Sequence, residues 1–110
     1  MEGFFSFGKK KEYIDFKRQI PLVTIPLFDS IRKFCLSLGE NVIEDVRMHR
    51  IVFGKLMVFR WFADIEPRKY GVIIKIQRNR KEAAQVFHIA NNQKLSNFEN
   101  LIKEAYLKIN

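Results

Sequence analysis

The stretch from Leu56 to Ile76 limits the fold more than any other part of the chain, because it is the densest run of β-forming residues. Two β-branched and aromatic runs flank the turn Pro67-Arg68-Lys69-Tyr70-Gly71, so the stretch predicts a β-hairpin. Pro67 cannot donate to a ladder, and Gly71 leaves the turn at low steric cost. Strict alternation from Leu56 onward puts Met57, Phe59, Trp61, Ala63 and Ile65 on one apolar face, the expected core side, with Val72, Ile74 and Ile76 of the next strand. The opposite face then carries Arg60, Phe62, Asp64 and Glu66 beside Ile73, Lys75 and Gln77.

Around this hairpin the period changes. Ile51-Val52-Phe53 predicts a short strand turning at Gly54-Lys55, and Gln85-Val86-Phe87-His88-Ile89 predicts another. Upstream, Thr24 and Pro26 mark a helix start, and Leu27, Phe28, Ile31, Phe34, Cys35 and Leu38 recur at helical spacing up to Gly39, expected as a left-handed cap. Asn41 and Glu44 repeat the start signal for a second, shorter helix carrying Val42, Ile43 and Val46. At the far end Ser96 and Glu99 form a capping-box pattern ahead of Phe98, Leu101, Ile102, Ala105, Tyr106 and Ile109. The expected class is α+β: a single-layer antiparallel sheet of three to four strands packed against helices at the N- and C-terminal ends. Residues 1–20 form a basic aromatic arm, with Phe4, Phe5, Phe7 and Lys9-Lys10-Lys11 ahead of a short amphipathic helix through Tyr13, Phe16 and Ile20. Residues 21–110 form one domain.

Hydrophobic residues make up 47% of the chain and include 11 Phe, which excludes a disordered chain. Cys35 is the only cysteine, so no internal disulfide forms, and its place on the helical stripe makes it core filler rather than a nucleophile. Arg60 and Lys75 interrupt the longest apolar runs, so no membrane span is expected, and the start lacks a secretory pattern; a cytoplasmic location follows as an expectation.

Net charge is +8, from 20 Lys and Arg against 12 Asp and Glu. The window from Arg47 to Lys81 concentrates it, with only Asp64 and Glu66 as acids. Arg60, Arg68, Lys69, Lys75, Arg78, Arg80 and Lys81, with Phe62 and Tyr70 beside them, suit phosphate contact and base stacking, so a non-enzymatic module contacting nucleic acid or an acidic partner is expected. Charged turns that only keep a β protein soluble are the plainer reading of the same residues. An alternative function is a small-ligand protein or enzyme with a polar site of Arg60, Asp64, Lys75 and His88 on the outer sheet face. Another is an oligomeric subunit, a homodimer, joined through the N-terminal arm. Asp64, Glu66 and Lys75 lack the carboxylate two residues before the lysine that a metal-dependent nuclease strand needs, since Ile73 stands there. His49 and His88 assemble no metal site, and no cofactor motif occurs among five glycines.

From Ile25 onward the chain resembles a family of small α+β domains of unknown function, sometimes labelled predicted transport proteins. The likeness rests on Leu27-Phe28 opening a helix that ends Leu38-Gly39, on Phe62-Ala63-Asp64-Ile65-Glu66-Pro67-Arg68-Lys69, on Gly71-Val72-Ile73-Ile74-Lys75-Ile76, and on Leu101-Ile102-Lys103-Glu104-Ala105-Tyr106. It also resembles the wider class with YdhG-like or MmcQ/YjbR-like architecture. The resemblance implies a compact α+β fold and an expectation of DNA binding, with no active-site residues to carry over. The first 20 residues lie outside it.

Overall fold

The structure is a computed structural model that describes residues 12–109. A short helix α1 (Tyr13–Lys17) and a 3-10 turn (Leu22–Thr24) lead into α2 (Ile25–Ser37). Five strands follow, β1 (Val42–Val46), β2 (Ile51–Lys55), β3 (Arg60–Arg68), β4 (Gly71–Ile76) and β5 (Gln85–Ala90), and α3 (Ser96–Lys108) closes the chain. The strands form one antiparallel meander in sequence order, with helices packed on one face. The class is α+β, with one strand more than the upper expectation.

The extra strand is β1, where the spacing of Asn41 and Glu44 predicts a helix. Val42, Ile43 and Val46 instead pair with Lys55, Gly54 and Ile51. β-Branched residues gain more from a sheet edge than from a five-residue helix, which is too short to repay its nucleation. Glu44 then faces α2, where it receives two hydrogen bonds from the Arg32 guanidinium at 2.5 and 3.1 Å.

The hairpin of β3 and β4 forms as expected, with Ile65 opposite Ile74 and Asp64 opposite Lys75. Its outer start does not. Residues 56–59 are a turn rather than strand, with Met57 and Phe59 exposed and Phe59 at φ +53°. Gly54, expected in the turn, lies inside β2. Register with β3 shifts there: Phe53 faces Ala63 but Gly54 faces Trp61, leaving Phe62 as the unpaired bulge residue. One extra residue inverts the alternation. Phe62 therefore joins Ala63 and Ile65 inside, fully buried, its ring edge-on to Tyr106 of α3 at 5.4 Å, and Trp61 is left half-buried. This corrects the expected inward placement of Met57, Phe59 and Trp61.

The core lies between sheet and helices, built from Phe28 and Ile31 of α2, Phe53, Phe62, Ile65, Ile74, Ile76 and Ile89 of the sheet, and Ile102 of α3. Phe16 and Ile20 are buried in the same core, so this part of the arm packs on its own domain. The Phe4, Phe5, Phe7 and Lys9 to Lys11 portion lies outside the described residues. Cys35 is buried in the core, and burial pushes its thiol pKa up, as expected of a packing residue.

Three expected caps take other roles. Gly39 has no left-handed backbone; a Cβ there would strike the Tyr106 hydroxyl, which donates to Asn41 Oδ1. Ser96 begins α3 without a capping bond, the Glu99 amide donating to the Leu95 carbonyl at 3.2 Å. Thr24 sits at the start of α2 but spends its hydroxyl on the β3–β4 turn. Among the described residues no helix is long and apolar enough to cross a membrane.

Candidate functional site

In a meander, successive turns emerge at opposite ends of the sheet. The six residues of β4, at about 3.3 Å each, separate the β3–β4 turn from the β4–β5 loop by roughly 20 Å. The expected single basic rim is therefore two sites. Arg68 and Lys69 stand at one end, Arg60, Arg78, Arg80 and Lys81 at the other, and Lys75 on the outer face between them.

At the loop end much of the charge is used internally. The Arg78 guanidinium pairs with Glu82 at 2.9 Å and with Glu104 of α3 at 2.9 Å, and its hydrogen bond holds the Glu104 carboxyl below its ordinary range. Gln77 Nε2 donates to the Glu82 carbonyl at 2.7 Å, and Asn79 Oδ1 accepts from the amides of Lys81 and Glu82. This closes the loop on itself and leaves Arg80 and Lys81 outside.

The polar outer-face patch is also rearranged. The bulge places Arg60 opposite Lys55, whose ammonium donates to the Tyr106 carbonyl at 3.0 Å on the helix side, so Arg60 leaves the neighbourhood of Asp64. Asp64 and Lys75 remain cross-strand neighbours, and His88 stands one row on, opposite Ile73. The ion-pair partner of Asp64 is Arg50, 3.5 Å away, rather than Lys75, and Asp64 is 8% exposed rather than solvated. Burial raises its pKa, and Arg50, Lys75 and Arg47 only partly offset this.

The folded state holds the Asp64 proton more tightly than the unfolded chain does, so ionising Asp64 costs stability as pH rises from the ordinary 3.8 through the higher folded value. Carboxyl-carbon NMR should give an Asp64 midpoint above 3.8, moving higher still in Arg50→Gln, which deletes the nearest cation. A midpoint at or below 3.8 would contradict the burial argument.

At the turn end the chain makes a shallow cleft of about 460 Å³ across β4 and β5. Its floor is apolar, the small Gly71 and Ala90 beside Ile73; its rim is Arg68, Tyr70, His88 and Gln93. Tyr70 is 76% exposed, and the Lys69 ammonium lies 5.9 Å from its ring centroid. Arg68 pairs with Glu66 at 2.6 Å, whereas no carboxylate pairs with Lys69 among the described residues. Gln93 is fixed by accepting from the Ala90 amide at 2.7 Å.

The turn is held from behind. The fully buried Thr24 hydroxyl donates to the Arg68 carbonyl at 2.6 Å and accepts from Asn91 Nδ2 at 3.0 Å, and the Asn91 amide donates to the Tyr70 carbonyl at 2.9 Å. Thr24→Val keeps the shape and removes both bonds; it should cost about 1–3 kcal/mol by urea denaturation, because buried partners are left unpaired. An unchanged midpoint would show that the turn stands without the Thr24 hydroxyl.

The geometry thus joins Arg68 with His88, expected in a different patch, around one cleft, with Lys69 beside Tyr70 in the adjoining turn, and separates them from Arg60, Arg78, Arg80 and Lys81. Ala90 and Thr24 carry no sequence signal for this site, because their roles depend on pairing across more than 15 residues, and Gln93 reaches the cleft only through its bond to the Ala90 amide. The cleft can seat a flat, anionic group: cations on one side, ring faces beside, and a floor open to close approach. Among the described residues no three His, Cys, Asp or Glu side chains gather as a metal site. Comparison with family models, with curated proteins and with solved structures finds no match to this chain.

Proposed function

We propose that the chain is a binding module that grips single-stranded nucleic acid at this corner, a base entering the cleft against Tyr70 and His88 and its phosphates meeting Lys69 and Arg68. The observation that carries the reading is the coincidence of unpaired cation, exposed ring and concave small-residue floor at one end of the sheet. A ring face is useful only to an unpaired base, since duplex bases already stack on one another. The net charge of +8 supplies long-range attraction but no position. The outer-face enzyme reading has less support, because Asp64 is committed to Arg50 and Arg60 has turned to the helix side.

Fluorescence anisotropy with labelled single-stranded and duplex oligonucleotides at low salt tests the proposal. Single strands should bind more tightly, with affinity falling as salt rises. Tyr70→Ala should cost about 1–3 kcal/mol, roughly 5- to 150-fold. Lys69→Ala should reduce the logarithmic salt slope by about 0.7. Equal affinity for both nucleic acids, or indifference to Tyr70→Ala, would overturn it.

A further inference from the structure

We propose that the free edge of β5 takes up an extended acidic peptide as a sixth strand. β5 is the last strand of the meander, so among the described residues no strand pairs with its outer side. The phase is fixed by the Asn91 amide, which donates inward to the Tyr70 carbonyl at 2.9 Å. Antiparallel geometry alternates, so Ile89 and Phe87 also face β4, and the peptide groups of Ala90, His88 and Val86 face away from it. The outward amide of Ala90 is stoppered by Gln93 Oε1. Those of Val86 and His88 have no partner among the described residues, and the Val86 side chain is 53% exposed.

Exposed edges are ordinarily blunted by charge, proline or a bulge. The other edge, β1, carries Glu44 and Asp45, each held by an arginine. The β5 sequence Gln-Val-Phe-His-Ile-Ala contains no Lys, Asp, Glu or Pro, and its pairing with β4 runs without a register shift.

Charge selects the occupant. Arg80 and Lys81 precede the strand and Lys94 follows it; among the described residues none of the three has a carboxylate partner. A second copy paired antiparallel on β5 would set Arg80 and Lys81 against the neighbour's Lys94, and a parallel copy would set like residues side by side. Both arrangements oppose cation to cation. An extended segment with carboxylates at its two ends, separated by the roughly 20 Å of β5, meets cations at both ends while its backbone pairs with Val86 and His88. The edge adjoins the cleft and shares His88 with its rim, but the pairing uses the outward backbone of β5 and does not depend on nucleic acid.

The test uses the full chain and a fluorescein-labelled peptide of about eight residues, with two acidic residues at each end of a Val-Thr-Val-Thr centre. Binding by anisotropy at low salt is expected, with slowed amide exchange at Val86 and His88. Val86→Pro removes an outward donor without touching the β4 ladder and should weaken binding at least about tenfold. If that variant does not fold, the unaltered chain with a peptide N-methylated at alternate amides decides, since one of the two methylation patterns must abolish binding. No binding at low salt, equal binding of both methylated peptides, unchanged exchange at Val86 and His88, or dimerisation of the chain through β5 by light scattering would each overturn the proposal.

Discussion

Replacing Phe62 by Ala is expected to cost about 3–5 kcal/mol of stability, more than any change at the neighbouring Trp61. Phe62 has no exposed surface and meets the Tyr106 ring edge-on at 5.4 Å. Its loss opens a cavity between β3 and α3 and removes an aromatic pair that adds about 0.5–1.5 kcal/mol beyond area. Trp61 sits opposite Gly54 and is only half-buried, so its truncation removes less from the core. Urea denaturation of the two variants reads the difference directly. Strict alternation through β3 would give the reverse order, with Trp61→Ala the more damaging.

Gly71→Ala is expected to be of similar size and to act on the site as well. Gly71 has φ +156°, where an L side chain is strained, and a Cβ there would fall on the Ile89 carbonyl oxygen and come within 2.9 Å of the Ala90 Cα. Those are backbone atoms of β5 and cannot swing aside. Strain and overlap together should exceed about 3 kcal/mol by thermal or urea unfolding. Because Gly71 and Ala90 floor the cleft, whatever folded protein remains should show displaced amide signals at Ala90 and His88. Wild-type stability in this variant would mean that β4 and β5 do not approach as closely here.

The hairpin of β3 and β4 was legible in the chain because its signals are local: a Pro-to-Gly turn between β-branched runs, registered within a few residues. The stripes of α2 and α3 are equally local, and Phe28, Ile31, Cys35, Ile102 and Ala105 are buried where the periodicity puts them. What escaped depends on distant partners. The bulge at Phe62 lies where the pairing with β2 shifts between Phe53 and Gly54, and no pattern within residues 60–68 encodes it. β1 has the composition of either element, and its pairing with β2 decided the matter. Basic residues separated by ten positions looked like one surface, yet the intervening strand places Lys69 and Arg80 at opposite ends. The site divides in the same way: Arg68, Lys69, Tyr70 and Gly71 stand out as a turn, while Thr24, Ala90 and Gln93 acquire their roles only after the sheet forms.

The most direct measurement is a two-dimensional amide spectrum of the labelled chain titrated with a single-stranded oligonucleotide at low salt. The expected result is salt-sensitive shifts confined to Lys69, Tyr70, Gly71, His88, Ala90 and Gln93. Shifts confined instead to residues 78–82 at the far end of the sheet, or spread evenly over every exposed lysine and arginine, would contradict a site at this corner.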